Sequence, residues 1–503
     1  MNNFGSSVKK VFFANFFSQT LSALIGIIIL PFYSRCFSSE DYGIFMIFYM
    51  SFTWVLIFDF GFTNYLNKYS TLFKNGKIVK EVFYKVLNTY EIFFAVLIIC
   101  IVSFSLLLRN YNFHFSPLLG YLNGNSILFL FILISVLLKL FTILYKASLD
   151  GFYLGNIASV ISVSFLAIRY LFPIILLISY KLSLNNFLLY QVIVSLIECI
   201  CYYILVRLKS GIKLEFKNLK FDKSHVFNRF TAFSFANSIL YILITQSDKL
   251  LLIKFLPISE YGEYASIIAV TNGIFYLSGP FMSSISPRLV GSIAAGKNIL
   301  SNLVLKGSFE FTSSIIIGAS FWVGLNGILI MKIIKPDIVS TNLLGYTFLF
   351  YAIGNGVYSL IGYLSIPQIA LGNVKFNFIV SFFISVFTIL GIIIIAPYYG
   401  ILGLALFWAF KNIFITLFSF YFYHYFGSGI SLSKPALILV SKILINGLLL
   451  FPFYFLASIY YTSLTYLILI AAGSFISFFL LNLFSSKQLT NYVSKLYIKY
   501  IFQ

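Results

Sequence analysis

Apolar stretches of about 20 residues recur from one end of the chain to the other, each long enough to cross roughly 30 Å of hydrocarbon. With 503 residues, 60% of them hydrophobic and 10% charged, the chain has too little polar surface to enclose those stretches in a water-soluble core. The short alternating strands of a membrane barrel are missing from the pattern. The chain reads as an all-α polytopic membrane protein with about fourteen transmembrane helices. Their approximate spans are 10–32, 42–66, 83–108, 126–148, 155–179, 186–208, 230–256, 261–285, 307–333, 343–367, 377–396, 399–423, 442–460 and 464–484. Lys9 and Lys10 precede the first run as in a signal peptide. That run reaches Pro31 without an Ala-x-Ala cleavage pattern, so it is expected to remain as the first helix.

The chain also repeats itself. LPFYSRCFSSEDYGIF (30–45) slides onto a segment of the later TQSDKLLLIKFLPISEYGEY (245–264) so that Asp41-Tyr42-Gly43 meets Glu260-Tyr261-Gly262 and Phe45 meets Tyr264. Six crossings separate the two copies, so both enter the membrane the same way and the halves form two parallel six-helix repeats about an axis along the membrane normal. The expected organisation is an N-terminal six-helix bundle (1–208), a basic cytoplasmic linker (209–229) and a C-terminal six-helix bundle (230–423). An appended C-terminal helix pair (442–484) and a cytoplasmic tail (485–503) complete it. Within the motif Ser39 can cap the second helix, and Asp41 suits its positive end. Gly43 and Gly262 permit close helix approach, while Tyr42 and Tyr261 suit the wet interface.

Lysine and arginine set the orientation. Lys9, Lys10, the Lys68–Lys85 group, Lys146 and the Arg207–Arg229 segment fall on one side, as do Arg288, Lys297, Lys306, Lys375, Lys434, Lys442 and the C-terminal lysines. Arg35, Arg109, Lys181, Lys254, Lys332 and Lys335 fall on the other. The excess places both termini in the cytoplasm of a bacterial-type inner membrane. It also accounts for most of the net charge of +20 as attraction to anionic lipid headgroups rather than to nucleic acid.

Polar residues inside the spans carry the functional signal. Asn15, Ser18, Gln19, Ser22 and Gly26 share one face of the first helix. At the repeat register they fall on Ser234, Asn237, Ser238, Tyr241 and Thr245, a stripe that Asp248 extends. Two readings stand: the stripes line a wet cavity, or they pack helices through small and polar groups. Asp59, Glu91, Lys139, Arg169, Glu198, Asp248, Lys249 and Lys411 also lie within spans. Each would cost roughly 2.5–3.5 kcal/mol or more at the bilayer centre, so each should face a bundle interior or water. Lys249 and Lys254 are close enough to the outer surface to snorkel. Lys139, Arg169 and Lys411 are near mid-span and are expected at a cavity. Pro173, Pro280, Pro287 and Gly354-Asn355-Gly356 mark expected helix interruptions.

Chemistry by a soluble catalytic module is excluded on this reading, since the longest segment outside the spans is about twenty residues. His114, His225 and His424 lack metal-ligand spacing, and no phosphate-binding loop or nucleophile elbow is present. Cys36, Cys100, Cys199 and Cys201 form no ligand set or disulfide framework. No metal or cofactor is expected.

LPFYSR, SEDYGIF, DFGFTNYLNKYS and QSDKLLLIKFLPISEYGEY together resemble the polysaccharide-transporter branch of the multidrug/oligosaccharidyl-lipid/polysaccharide (MOP) flippase superfamily, O-antigen flippases in particular. The resemblance covers about residues 5–425. It implies two six-helix bundles around a central cavity, and export of an undecaprenyl-diphosphate-linked oligosaccharide repeat unit across the bacterial inner membrane in lipopolysaccharide biosynthesis. It further implies contact with the polysaccharide polymerase and chain-length machinery. On that basis Lys139, Arg169 and Lys411 are the candidates to bind the diphosphate, joined at the headgroup by Asn15, Gln19 and Asn237. Asp59, Glu91, Glu198 and Asp248 are the candidates for coupling to a proton or sodium gradient. The first helix lacks arginine between Asn15 and Leu30, where the lipid II flippase relatives use basic residues, and this argues against the peptidoglycan branch. Two competitors remain: a cation-driven multidrug antiporter of the same superfamily, against which the basic mid-span inventory argues, and a membrane-embedded polymerase or ligase, against which the short loops argue.

Overall fold

The computed structural model describes residues 2–108, 126–180, 183–211, 229–294, 298–336, 342–363, 374–425, 433–459, 463 and 465–477. Every regular element among them is helical. In order they are α1 (Asn2–Cys36), α2 (Ser39–Trp54), a 3-10 turn (Val55–Asp59), α3 (Phe62–Lys74) and α4 (Lys80–Leu108). Next come α5 (Ser126–Gly151), α6 (Gly155–Tyr180), α7 (Leu184–Ser210), α8 (Arg229–Phe255) and α9 (Ile258–Ala294). The remainder are α10 (Asn298–Leu325), α11 (Gly327–Ile334), α12 (Asn342–Ser359), α13 (Val374–Tyr425), α14 (Ser433–Ile459) and α15 (Thr465–Ser477). Seven of these, α4–α7, α10, α13 and α14, are long and apolar enough to cross a membrane among the described residues. The chain is an all-α, multi-pass membrane protein. α8 is as long as α7 but more polar, because it carries a buried Thr245–Lys249 stretch.

Tertiary contacts divide the chain into two units, Met1–Ala265 and Ser266–Gln503. The division falls inside α9, so both copies of the repeated motif belong to the first unit. There α5 packs on α7 and α3, and α1 packs along α6. Phe62, Phe83, Tyr90, Phe94, Leu144 and Tyr202 form its main core. A second cluster joins the end of α1 to α2, α6 and α7: Tyr33 stacks on Phe45 at 4.3 Å, and Phe187 meets both rings edge-on. The Tyr33 hydroxyl donates to the Tyr170 carbonyl.

The two motif copies meet through their glycines. A Cβ on Gly43 would lie 2.2 Å from the Ile258 carbonyl oxygen, and one on Gly262 would lie 3.1 Å from the Gly43 Cα. Backbone-to-backbone approach of this kind is open only to a residue without a side chain. Three expectations at the motif change. The side chain that caps α2 belongs to Ser38, not Ser39; it accepts from the Asp41 N–H at 3.1 Å. Tyr42 and Tyr261 do not reach a wet interface but are buried, because α2 and the start of α9 pack face to face there. The second expected span, 42–66, is broken at Phe60 and Gly61, which adopt left-handed conformations with φ of 52° and 74°.

In the second unit α10 packs on α12 and α14, and α12 on α13. Phe309, Ile316, Phe321, Val357, Phe420 and Tyr454 form the core. α13 folds back on itself at Gly400, whose φ of 56° and ψ of −149° suit glycine alone. The rings of Phe387 and Phe407 then lie 5.6 Å apart, and Lys411 reaches Thr388. The two expected spans 377–396 and 399–423 are thus the arms of one hairpin. α14 and α15 dock on α10 and α11 through Ile328, Leu329, Ala457, Leu467 and Ala471. The Trp322 indole N–H donates to the Ala471 carbonyl and the Asn326 amide to Ser474. No interruption occurs at Gly354-Asn355-Gly356: α12 runs through it, because the bare glycine faces seat Trp408 and Ser320. α6 and α9 likewise stay helical through Pro173 and through Pro280 and Pro287.

Candidate functional site: buried charge networks

Near the middle of the first unit, three helices bring their mid-span charges together. Glu198 of α7 bridges two cations: Oε1 accepts from the Lys139 ammonium of α5 at 2.6 Å, and Oε2 from the Arg169 guanidinium of α6 at 2.8 Å. Arg169 donates a further bond to the Ser195 hydroxyl at 2.9 Å and lies 4.7 Å from the Phe52 ring centroid. The Gln191 side chain accepts from the guanidinium at 3.4 Å and donates to the Arg169 backbone carbonyl at 2.9 Å. Side-chain exposure is 26% for Lys139, 5% for Arg169 and 2% for Glu198. Such a cluster is tolerated only when each charge has a close partner, since unpaired burial costs several kcal/mol. Gln191, Ser195 and Glu198 were not singled out together from the sequence, yet their spacing of four and three residues places them on one helix face.

The other charges of the first unit sit apart from this triad. Both oxygens of Glu91 accept from Arg207, at 2.7 and 2.9 Å, and Tyr145 donates to Oε1 at 2.9 Å. The Arg207 guanidinium also lies over Tyr84 and Tyr203. Asp59 caps α3: its carboxylate accepts from the Thr63 N–H at 3.2 Å and the Thr63 hydroxyl at 2.8 Å. Asp248 accepts from the Lys249 ammonium at 3.1 Å and from the Tyr264 hydroxyl. Lys249 does not snorkel as expected. It is 3% exposed and held inside by Asp248 and the Thr245 carbonyl.

In the second unit Lys411 is fully buried, 3.8 Å from the Trp408 ring centroid and 3.2 Å from the Thr388 hydroxyl. Trp408 donates to Asn355 at 2.8 Å, and the Asn355 amide donates to Thr271 and Asn272, both at 3.1 Å. The sequence marks Asn355 only as part of an expected interruption and Trp408 not at all, because nothing local distinguishes them from packing residues.

Along the polar stripes, Ser18 and Gly26 meet neighbouring helices. The Ser18 hydroxyl donates to the Ser159 carbonyl of α6 at 3.2 Å, and Gly26 faces the Tyr49 hydroxyl. Thr245 bonds back to its own helix. Asn237 is half-buried on α8. Asn15 and Gln19 fall outside the described side chains.

A helical membrane scaffold with polar and charged networks buried inside its units defines the class to which the chain is similar: multi-helix transporters and flippases. The solved structures with this likeness include three of note. The lipid II flippase MurJ in its inward closed conformation superposes over 97% of this chain and 99% of its own, with a TM-score of 0.65 and 17% identity. A eukaryotic MATE transporter covers 87% and 99% at TM-score 0.51 and 14% identity. The MATE transporter VcmN of Vibrio cholerae covers 84% and 98% at 0.50 and 14%. At these identities the superpositions show a shared fold alone, all-α and multi-pass as the sequence leads one to expect. No protein-family model matches the chain, and none of the curated proteins matches it either.

Proposed function

We propose that the chain is a flippase that carries an undecaprenyl-diphosphate-linked oligosaccharide repeat unit, of the O-antigen type, across the bacterial inner membrane by alternating access. The observation that carries this reading is the Lys139–Glu198–Arg169 triad, two cations on one carboxylate near the middle of three packed helices. A sugar diphosphate cannot enter hydrocarbon without losing its hydration, so a carrier must offer it polar and cationic partners at that depth. The fold shared with a lipid II flippase supports a lipid-linked substrate.

On this reading Lys139, the most exposed of the three, touches the diphosphate, and Arg169 positions Glu198 beside it. Lys411 is the corresponding cation of the second unit, and Asn15, Gln19 and Asn237 meet the sugar headgroup. Among the candidates for coupling to a proton or sodium gradient, Asp59 also caps α3 and Glu91 also holds Arg207. Glu198 and Asp248 each bond directly to a lysine. Delivery to a polymerase and chain-length machinery belongs to the same proposal.

The test is translocation of a lipid-linked oligosaccharide in vesicles. Lys139→Ala should lower the rate about 100-fold, the scale of a lost charge-assisted contact to a buried anion, at unchanged protein level. An unchanged rate removes Lys139 from the mechanism. Efflux of an amphipathic cation in place of the lipid would give the chain to the multidrug antiporters instead.

A further inference from the structure

The triad is asymmetric in a way that its structural role does not require. Arg169 has Glu198, Ser195, Gln191 and the Phe52 ring around it. Lys139 has Glu198 as its only hydrogen-bond partner among the described residues. It is also the one member with substantial exposure, 26% against 5% and 2%. One carboxylate between two cations leaves a surplus positive charge. A surplus positive charge held at mid-span costs several kcal/mol unless water or an anion offsets it.

We propose that the triad is an anion-exchange site: a phosphoryl oxygen of a diphosphate replaces Glu198 at Lys139 while Arg169 keeps the carboxylate. The inference rests on the flippase reading and adds a role for Glu198, that of an internal competitor for the substrate's charge. The chemistry of the two cations fits the division of labour. The lysine ammonium is a compact charge with three donors that rotate to a new partner, whereas the guanidinium fork is held by its existing set of acceptors. A diphosphate carries more charge than a carboxylate and can displace it from Lys139 at close range. While the site is empty, Glu198 neutralises Lys139. When the substrate leaves, Glu198 returns and hastens its release.

The experiment is a titration of inorganic pyrophosphate into the purified full chain in phosphatidylcholine nanodiscs, for wild type, Lys139→Met and Glu198→Gln. Lys139→Met leaves a balanced Arg169–Glu198 pair and should keep the fold while losing binding by about 100-fold. Glu198→Gln should bind about tenfold tighter, because the competitor is gone. Should its two uncompensated cations prevent folding, Glu198→Asp replaces it: one methylene shorter, it cannot reach both cations and should also tighten binding. Absence of binding by the wild type, wild-type affinity in Lys139→Met, or no tightening in the Glu198 variants overturns the exchange. In phosphatidylglycerol nanodiscs, retained affinity supports a diphosphate site, and its loss would assign the ammonium to phospholipid headgroups and overturn the proposal. These outcomes bear on how Lys139 meets a diphosphate, whereas movement of a lipid-linked sugar is decided by the translocation assay. A chain that exchanges pyrophosphate yet moves no lipid-linked sugar would lose the flippase reading alone.

Discussion

The α1–α2 corner and the α8–α9 corner are built from the same motif and lie in the same unit, yet they are held by different forces. At the register that aligns Gly43 with Gly262, Ile29 corresponds to Asp248, Leu30 to Lys249 and Phe45 to Tyr264. The first corner is an aromatic and aliphatic cluster with Ile29, Leu30 and Phe45 fully buried. The second buries an ion pair and ties it to a tyrosine hydroxyl. Repetition therefore preserves the backbone path, which the glycine contact dictates, while the side chains behind it are free to diverge. Apolar packing tolerates the loss of one partner gradually. A buried ion pair does not, because the survivor is left charged in a low-dielectric interior.

The largest effect should come from splitting that pair. Asp248→Ala should destabilise the protein by about 3–5 kcal/mol, the range for a buried charge left alone, read as lowered thermal stability in detergent. The double change Asp248→Leu with Lys249→Leu, which imitates the first corner, should recover most of it. If the single and double variants match, the ion pair is not what holds the second corner. Next comes the shared contact. Gly43→Ala drives a methyl into the Ile258 carbonyl and should cost about 3 kcal/mol, more than Gly262→Ala, whose nearest neighbours are farther away. An equal loss at both would mean that the helices separate freely. Tyr264→Phe, which makes the second corner more like the first, removes one bond to a charged acceptor and should cost about 1.5–3 kcal/mol. The smallest change belongs to Tyr261→Phe. Its hydroxyl is buried without a partner among the described residues, so stability should shift by less than about 0.5 kcal/mol.

The triad and the Lys411 network extend the contrast to corresponding helices of the two units. In the first unit the cation stands on α6 and its carboxylate on α7, whereas in the second the cation stands on the later arm of α13 and bonds to Thr388 on the earlier arm. The sequence marked Lys139, Arg169, Glu198 and Lys411 one by one as mid-span charges. It did not show that the first three form a single cluster, because that depends on the faces three separate helices turn to one another. The broken second span shows the same limit. Its apolar composition reads as one helix, but left-handed Phe60 and Gly61 divide it, with Asp59 capping the segment that follows.

Hydrophobicity and charge are properties of each stretch of chain, so the sequence by itself determined the helical class and the internal repeat. It also identified the residues too polar to face lipid. Partner choice is not local. Glu198 is counterion to Lys139 and Arg169, Ser38 rather than Ser39 caps α2, and Gly43 meets Gly262, because helix rotation and packing distance bring those groups within a few ångströms. Only the tertiary structure decided these, since an interaction that decays over such distances cannot be read from positions separated by tens to hundreds of residues.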